Sequence, residues 1–225
     1  VAAGGSDSID RALCGYFESI GGTIETGVEV KSMADLPEAR AYLFDTSPRS
    51  MAQICGDALP QGYRRRLERY RYGPGLFKLD WALSEPIPWT DKSVGKAATV
   101  HVGGTLDEIA ASERAAWTGE HTERPFVLLT QCSLFDSSRA PRGHHTAWAY
   151  CHIPNGSEHD GTAAILNQVE RFAPGFRDCI VAQSATSVSQ LEKYNPNYIG
   201  GDVNGGAPTL GQLFTRPVAR VLLQH

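Results

Sequence analysis

The chain has 225 residues of which 41% are hydrophobic, enough for one large or two small domains with a packed core. Its formal net charge of −4 and isoelectric point near 6.0 leave no electrostatic footprint for nucleic acid or an anionic membrane. The cysteines Cys14, Cys55, Cys132, Cys151 and Cys179 are odd in number and widely spaced, with no C-x-x-C. That pattern fits free, mostly buried thiols in a reducing compartment. With no uninterrupted apolar run and no signal-peptide pattern in VAAGGSDSID, a cytoplasmic protein is expected, where the sequon at Asn155-Gly156-Ser157 carries no meaning.

In chain order, Ser6 or Asp7 can cap a helix with Ile9, Leu13, Phe17 and Ile20 at helical spacing, closed by Gly21-Gly22. TIETGVEV then reads as a short strand and Ala41 to Phe44 as a strand buried on both faces, before Thr46-Ser47-Pro48 opens another helix. Tyr63, Leu67 and Tyr70 give the Arg-rich segment an apolar helical side, so Arg64, Arg65, Arg66, Arg69 and Arg71 read as a solvated face rather than a phosphate-binding patch. Strands follow at Leu76 to Ser84, Thr99 to Val102, Phe126 to Gln131 and Thr146 to Ile153. A helix over Leu106 to Trp117 is predicted to present Leu106, Ile109, Ala110, Glu113 and Trp117 on one side. Ile165, Leu166, Val169, Phe172 and Ala173 form a clear stripe ended by Pro174-Gly175. Gly200 to Gly206 is a glycine-rich loop, and Pro217 to Leu223 could start a further strand. Together these elements predict an α+β fold, with an α/β piece at the start and a mixed or antiparallel sheet bearing helices on one side.

Chemistry-bearing patterns are sparse. His144-His145, Cys151, His152 and His159 match no zinc spacing, and adjacent pairs on a strand point to opposite faces, so no metal is expected. The elbow G-x-S-x-G and the phosphate loops G-x-G-x-x-G and G-x-x-x-x-G-K-[ST] do not occur. In the strand FKLDWAL, Phe77, Leu79, Trp81 and Leu83 share one parity, while Lys78 and Asp80 share the other. That Lys/Asp pair is either a surface ion pair or a polar floor under a ligand, and the pattern alone does not choose.

Several segments, taken in order, resemble the phytoene dehydrogenase-like branch of FAD-dependent oxidoreductases, amine-oxidase-type flavoproteins that include carotenoid desaturases and retinol saturases. They are AAGGSDSIDRALCGYFESIGGTIETGVEV, AYLFDTSP, RYGPGLFKLDWALSEPIPW, HVGGTLDEIAASE, LFDSSRAPRGHHTAWAY, RFAPGFRD, NYIGGDVNGG and QLFTRPVAR. The resemblance covers nearly the whole chain. It departs in two places, since the family's opening βαβ unit with G-x-G-x-x-G and its closing Gly-rich segment are not in this sequence; an internal fragment of a longer enzyme is therefore expected. It implies a two-domain flavoprotein in which residues 1–58 are part of the FAD-binding domain. Residues 59–199 would be a substrate domain whose sheet roofs the flavin, and residues 200–225 a return to the FAD domain.

What the resemblance implies for function follows residue by residue. FAD is the cofactor, and the backbone of Val30 would meet its adenine end. The substrate is apolar and isoprenoid-like, oxidised by hydride transfer to flavin; a peripheral membrane contact would suit it. Such enzymes need no acid/base constellation, and no catalytic residue is assigned. Lys78 and Asp80 become candidates for the substrate-facing side. The same general fold serves Rab GDP-dissociation inhibitors, which bind a prenylated partner and no flavin, so a non-redox binder or an inactive fragment is the alternative. With no neighbouring βαβ unit, Ala41 to Phe44 is expected to expose apolar surface.

Overall fold

The computed structural model describes residues 2–218. Its centre is one five-stranded sheet in the order β2-β3-β4-β1-β5, antiparallel at every pairing, which makes the fold α+β. The strands are β1 (Gly75–Leu83), β2 (Thr99–Val102), β3 (Val127–Thr130), β4 (His145–Ile153) and β5 (Ile180–Thr186). The helices are α1 (Asp7–Ser19), α2 (Pro48–Cys55), α3 (Gln61–Glu68), α4 (Leu106–Thr118), α5 (Thr162–Phe172), α6 (Val188–Tyr194) and α7 (Leu210–Phe214).

The alternation in β1 is obeyed: Phe77, Leu79, Trp81 and Leu83 are buried, whereas Lys78, Asp80 and Ala82 are half-buried. Pairing in register extends the buried face across Ala147, Ala149 and Cys151 of β4 to Val127 and Leu129 of β3. Helix α5 fills that face with Ile165, Leu166 and Val169. Phe176, just beyond it, meets the Trp81 ring edge-on at 5.1 Å. Pro174 and Gly175 stop α5, with Gly175 at φ 88°, a conformation that strains any residue with a Cβ.

Local chemistry explains the helix boundaries. Ser47 caps α2 by accepting from Ser50 N at 3.1 Å, with Pro48 in the first turn. At α4 a capping box pairs Thr105 with Glu108, and Gly119 closes the helix in the left-handed conformation. A smaller apolar cluster joins Ala52, Leu67 and Val218, with Tyr63 packed against it. Among the arginines of the basic segment, Arg64 is paired with Asp57 and Glu68. The glycine-rich loop is clamped against β1: Asn155 Nδ2 donates to the carbonyls of Gly73 at 2.7 Å and Ile199 at 3.0 Å, and buried Asp202 accepts from Gly73 N at 2.7 Å.

Three expectations need correction. Residues 23–30 and 41–44 form no strand, and Ile24, Val28 and Leu43 are exposed, Leu43 at 93%. A strand needs a partner for its ladder, and no described strand lies beside either segment. The opening region is thus helices joined by irregular backbone rather than a βα layer, and its apolar surface at Leu43 is open as expected. Helix α1 forms where predicted but buries none of its residues. On α4 the buried face is not the bulky one: Ser112, Ala115 and Ala116 turn inward, while Leu106 and Trp117 are exposed, because small residues allow close packing. The strand β5 and the short helices α6 and α7 were not foreseen. The strand suggested at Pro217 to Leu223 lies almost wholly outside the described residues.

Candidate ligand-binding face

The second face of the sheet is built from the other parity of the same strands. Lys78 pairs across to Tyr150 and Asp80 to Trp148 in the β1–β4 register. All four side chains are therefore brought onto one surface, each half-buried. The Lys78 ammonium binds both carboxylate oxygens of Asp80. It also lies 5.6 Å from the centroid of the Trp148 ring. Trp148 and Tyr150 follow with near-parallel rings 6.2 Å apart, and Tyr150 lies 6.0 Å from His152. His152 Nδ1 in turn meets the Glu113 carboxylate at 2.9 Å, where α4 reaches the end of β4. The result is one continuous polar and aromatic strip.

Beside this strip opens a cavity of about 430 Å³ lined by Asp80, Ala82, Cys132, Arg139, Trp148 and Ser184, among others. That volume is within the range of small-molecule sites. Ala82, Ala147 and Ala182 are among its small side chains, and Asp80, Arg139 and Ser184 among its polar ones. Arg139 comes from the 132–140 segment, where Asp136 caps the turn by accepting from Ser138 N at 3.0 Å. The Ser138 side chain is the chief cause holding the Asp136 carboxyl below its ordinary pKa, and the Gly4 amide adds to it at 3.0 Å. Burial, with a smaller push from Glu113, raises the Tyr150 hydroxyl.

The strip offers planar apolar area and a self-neutralised ion pair. It offers no activated nucleophile: Cys151, on the buried face, is pushed up to about 12 chiefly by burial and secondarily by Glu113, so its thiol stays protonated and inert. The histidines that invited a metal reading are dispersed. His145 Nδ1 contacts Ser133 Oγ at 3.2 Å, His152 pairs with Glu113, and His159 stacks on His121 at 4.0 Å. Among the described residues no cluster of three or more His, Cys, Asp or Glu is arranged to hold a metal ion. No described helix is long and apolar enough to cross a membrane.

The overall architecture is similar to that of an oxidoreductase from Methanosarcina mazei, with a TM-score of 0.50 at 17% sequence identity. The fold is one that an oxidoreductase uses. The likeness covers 82% of this chain and 43% of that one, so this chain spans less than half the length of its structural neighbour. No family model matches the sequence, and no curated protein matches it.

The structure brings two of the three sequence-predicted site residues, Lys78 and Asp80, together in a half-buried ion pair. Val30 stands apart in irregular backbone before the turn at Met33–Asp35, half-buried, and does not line this cavity. Sequence reasoning missed Trp148, Tyr150, His152, Glu113 and Arg139. The first three were within reach, because TAWAYCHI alternates in the same way as FKLDWAL; Glu113 and Arg139 arrive by tertiary packing and have no local signal.

Proposed function

We propose that this chain supplies the substrate-facing sheet and part of the cofactor domain of an FAD-dependent oxidoreductase acting on an apolar, isoprenoid-like substrate. The observation that carries the proposal is the half-buried strip of Lys78, Asp80, Trp148 and Tyr150 beside a small-molecule-sized cavity. The sheet beneath it is filled on its other face and belongs to a fold shared with an oxidoreductase. The ordered motifs resembling phytoene dehydrogenase-like enzymes narrow the class.

The strip suits the ring-and-substrate side of a flavin site. Trp148 and Tyr150 present flat apolar area, and the Lys78–Asp80 pair leaves no lone charge stranded when water is expelled. It does not suit the pyrophosphate, for which this sequence has no glycine-rich cradle. The backbone of Val30 is proposed to meet the adenine end. Bound flavin would supply the hydride acceptor. The residues of this chain bind and orient the substrate and exclude water; none is asked to move a proton.

Expression of the chain within its complete coding sequence tests the reading. A protein that purifies with flavin absorbance and gains thermal stability on adding FAD supports it. A colourless protein indifferent to FAD contradicts it, and favours a non-redox binder of the same fold.

A further inference from the structure

A larger cavity lies elsewhere, with a volume of about 630 Å³. It opens beside the edge strand β2 and is walled by Trp89, Val94, Val100, Ile109, Phe126 and Phe172. Val100 pairs with Leu129 and Val102 with Val127. Both therefore share the parity of the filled face, and this cavity is on the opposite side of the sheet from the Lys78–Trp148 strip.

One side of the cavity is fixed by a neutral clamp. Buried Gln131 accepts from Trp89 Nε1 at 2.8 Å and donates to the carbonyls of Ala97 at 3.0 Å and Val94 at 3.3 Å, which holds the 89–97 segment as a wall. The other side is fixed by a charged one. Glu108 Oε1 accepts from Arg171 at 2.9 Å and Arg124 at 3.0 Å, while Oε2 accepts from Arg171 at 3.2 Å and the Thr105 amide at 2.9 Å. Both oxygens are filled, yet a single carboxylate stands between two guanidiniums, and the cluster keeps a positive charge in excess.

That excess reaches the cavity through Arg171, which lines it. A Cβ added at Gly104, also in the lining, would lie 3.2 Å from Arg171 Nη1, so the guanidinium sits against the glycine floor. Each terminal nitrogen of Arg171 gives one hydrogen to Glu108 and keeps another to donate. Two more ionisable groups are in the lining. His101, its ring edge-on to Phe126 at 5.3 Å, adds positive charge or none. Asp91 is anionic, but its carboxylate caps the turn after it by accepting from Ser93 N at 2.9 Å, and the residue is exposed, so solvent screens it. An apolar lining with a cation that has donors to spare suits a hydrocarbon body ending in an anion.

We infer that this cavity is a second binding site, for a mainly hydrocarbon small molecule that ends in a carboxylate, its chain against the apolar walls and its head group on Arg171. It is independent of the flavin proposal.

Calorimetric titration of the 225-residue chain with decanoate, decanol and decylamine tests it. Decanoate binds saturably with a change in tryptophan fluorescence, and decylamine binds at least tenfold more weakly. Val94→Trp, which fills the cavity, weakens decanoate at least tenfold; Val94→Phe serves if that variant fails to fold. Arg171→Gln weakens decanoate at least fivefold and leaves decanol within twofold, and Arg124→Gln, which removes the other cation on Glu108, does the same to a smaller degree. Val181→Thr, at an exposed position of β5, changes nothing. Saturation absent for decanoate, decylamine binding as tight as decanoate, or insensitivity to both Val94 variants would overturn the inference. Equal losses of decanoate and decanol in both arginine variants would overturn the head-group assignment. A wild-type dimer that Val94→Trp converts to monomer with no decanoate bound would also contradict it, since the face would then be an interface between copies.

Discussion

The two faces of the sheet come from the same residues in alternation, yet they do different work. On one, Leu79, Ala149, Val127 and Leu129 have no accessible surface and α5 packs against them. On the other, Lys78, Asp80, Trp148 and Tyr150 stay half-buried, and Asp80 and Trp148 line a cavity. A strand that must bury one parity is free to spend the other on recognition. Stability should therefore follow one face and ligand chemistry the other.

Substitution on the filled face gives the largest effect. Leu79→Ala should cost about 2–5 kcal/mol in denaturant unfolding, through lost burial and the cavity left behind. A smaller loss at Leu79 than at Trp148 would break the division between faces. Gly75→Ala comes next, because its Cβ would sit 2.5 Å from the Gly200 carbonyl oxygen at the clamp holding the glycine-rich loop. It should cost about 1–3 kcal/mol.

On the open face the order reverses. Lys78→Ala should change stability by less than about 1 kcal/mol, since the ion pair is part-exposed and screened. For the protein expressed as its complete coding sequence, the proposed function predicts about tenfold lower turnover of an apolar substrate. Unchanged turnover with intact folding would return Lys78 and Asp80 to ordinary surface.

The pH dependence sharpens the same contrast at the start of α4, where Glu108 holds both Arg171 and Arg124. Chiefly through Arg171, then the Thr105 amide and Arg124, the Glu108 carboxyl is lowered from 4.5 to about 2. A folded-state pKa below the unfolded one gives stability that is present above pH 4.5 and lost as pH falls through 2. Melting temperatures of wild type and Glu108→Gln should differ most near neutrality and converge at low pH. The smallest effect is expected at His121, whose pKa is lowered from 6.5 by burial and then by stacked His159. The unfolded chain then takes the proton first, so stability declines as pH drops through 6.5 and below. His121→Phe should flatten that decline.

How far the sequence foretold this structure depended on whether a segment has a described strand to pair with. FKLDWAL and TAWAYCHI alternate because they are central strands with one filled face, and both were legible. IVAQSAT was not, for β5 is an edge strand whose side chains are mostly exposed, leaving no alternation to read. TIETGVEV and AYLF have strand composition but no described strand to pair with, and propensity yields to that lack. Within the site, Lys78 and Asp80 were found by parity, and Trp148 and Tyr150 could have been. Glu113 and Arg139 join through tertiary packing of α4 and the 132–140 segment, which no local pattern encodes.

The central claim is that the open face of this sheet is the ligand face of a flavin-dependent oxidoreductase. It is tested most directly by visible absorbance of the protein expressed as its complete coding sequence, wild type beside Trp148→Ala, during anaerobic mixing with an isoprenoid-like substrate. The account predicts flavin bands in both, bleaching on substrate addition in wild type and at least tenfold slower bleaching in the variant with an unchanged far-ultraviolet circular dichroism spectrum. A colourless wild type, or a variant that bleaches at the wild-type rate, would contradict it.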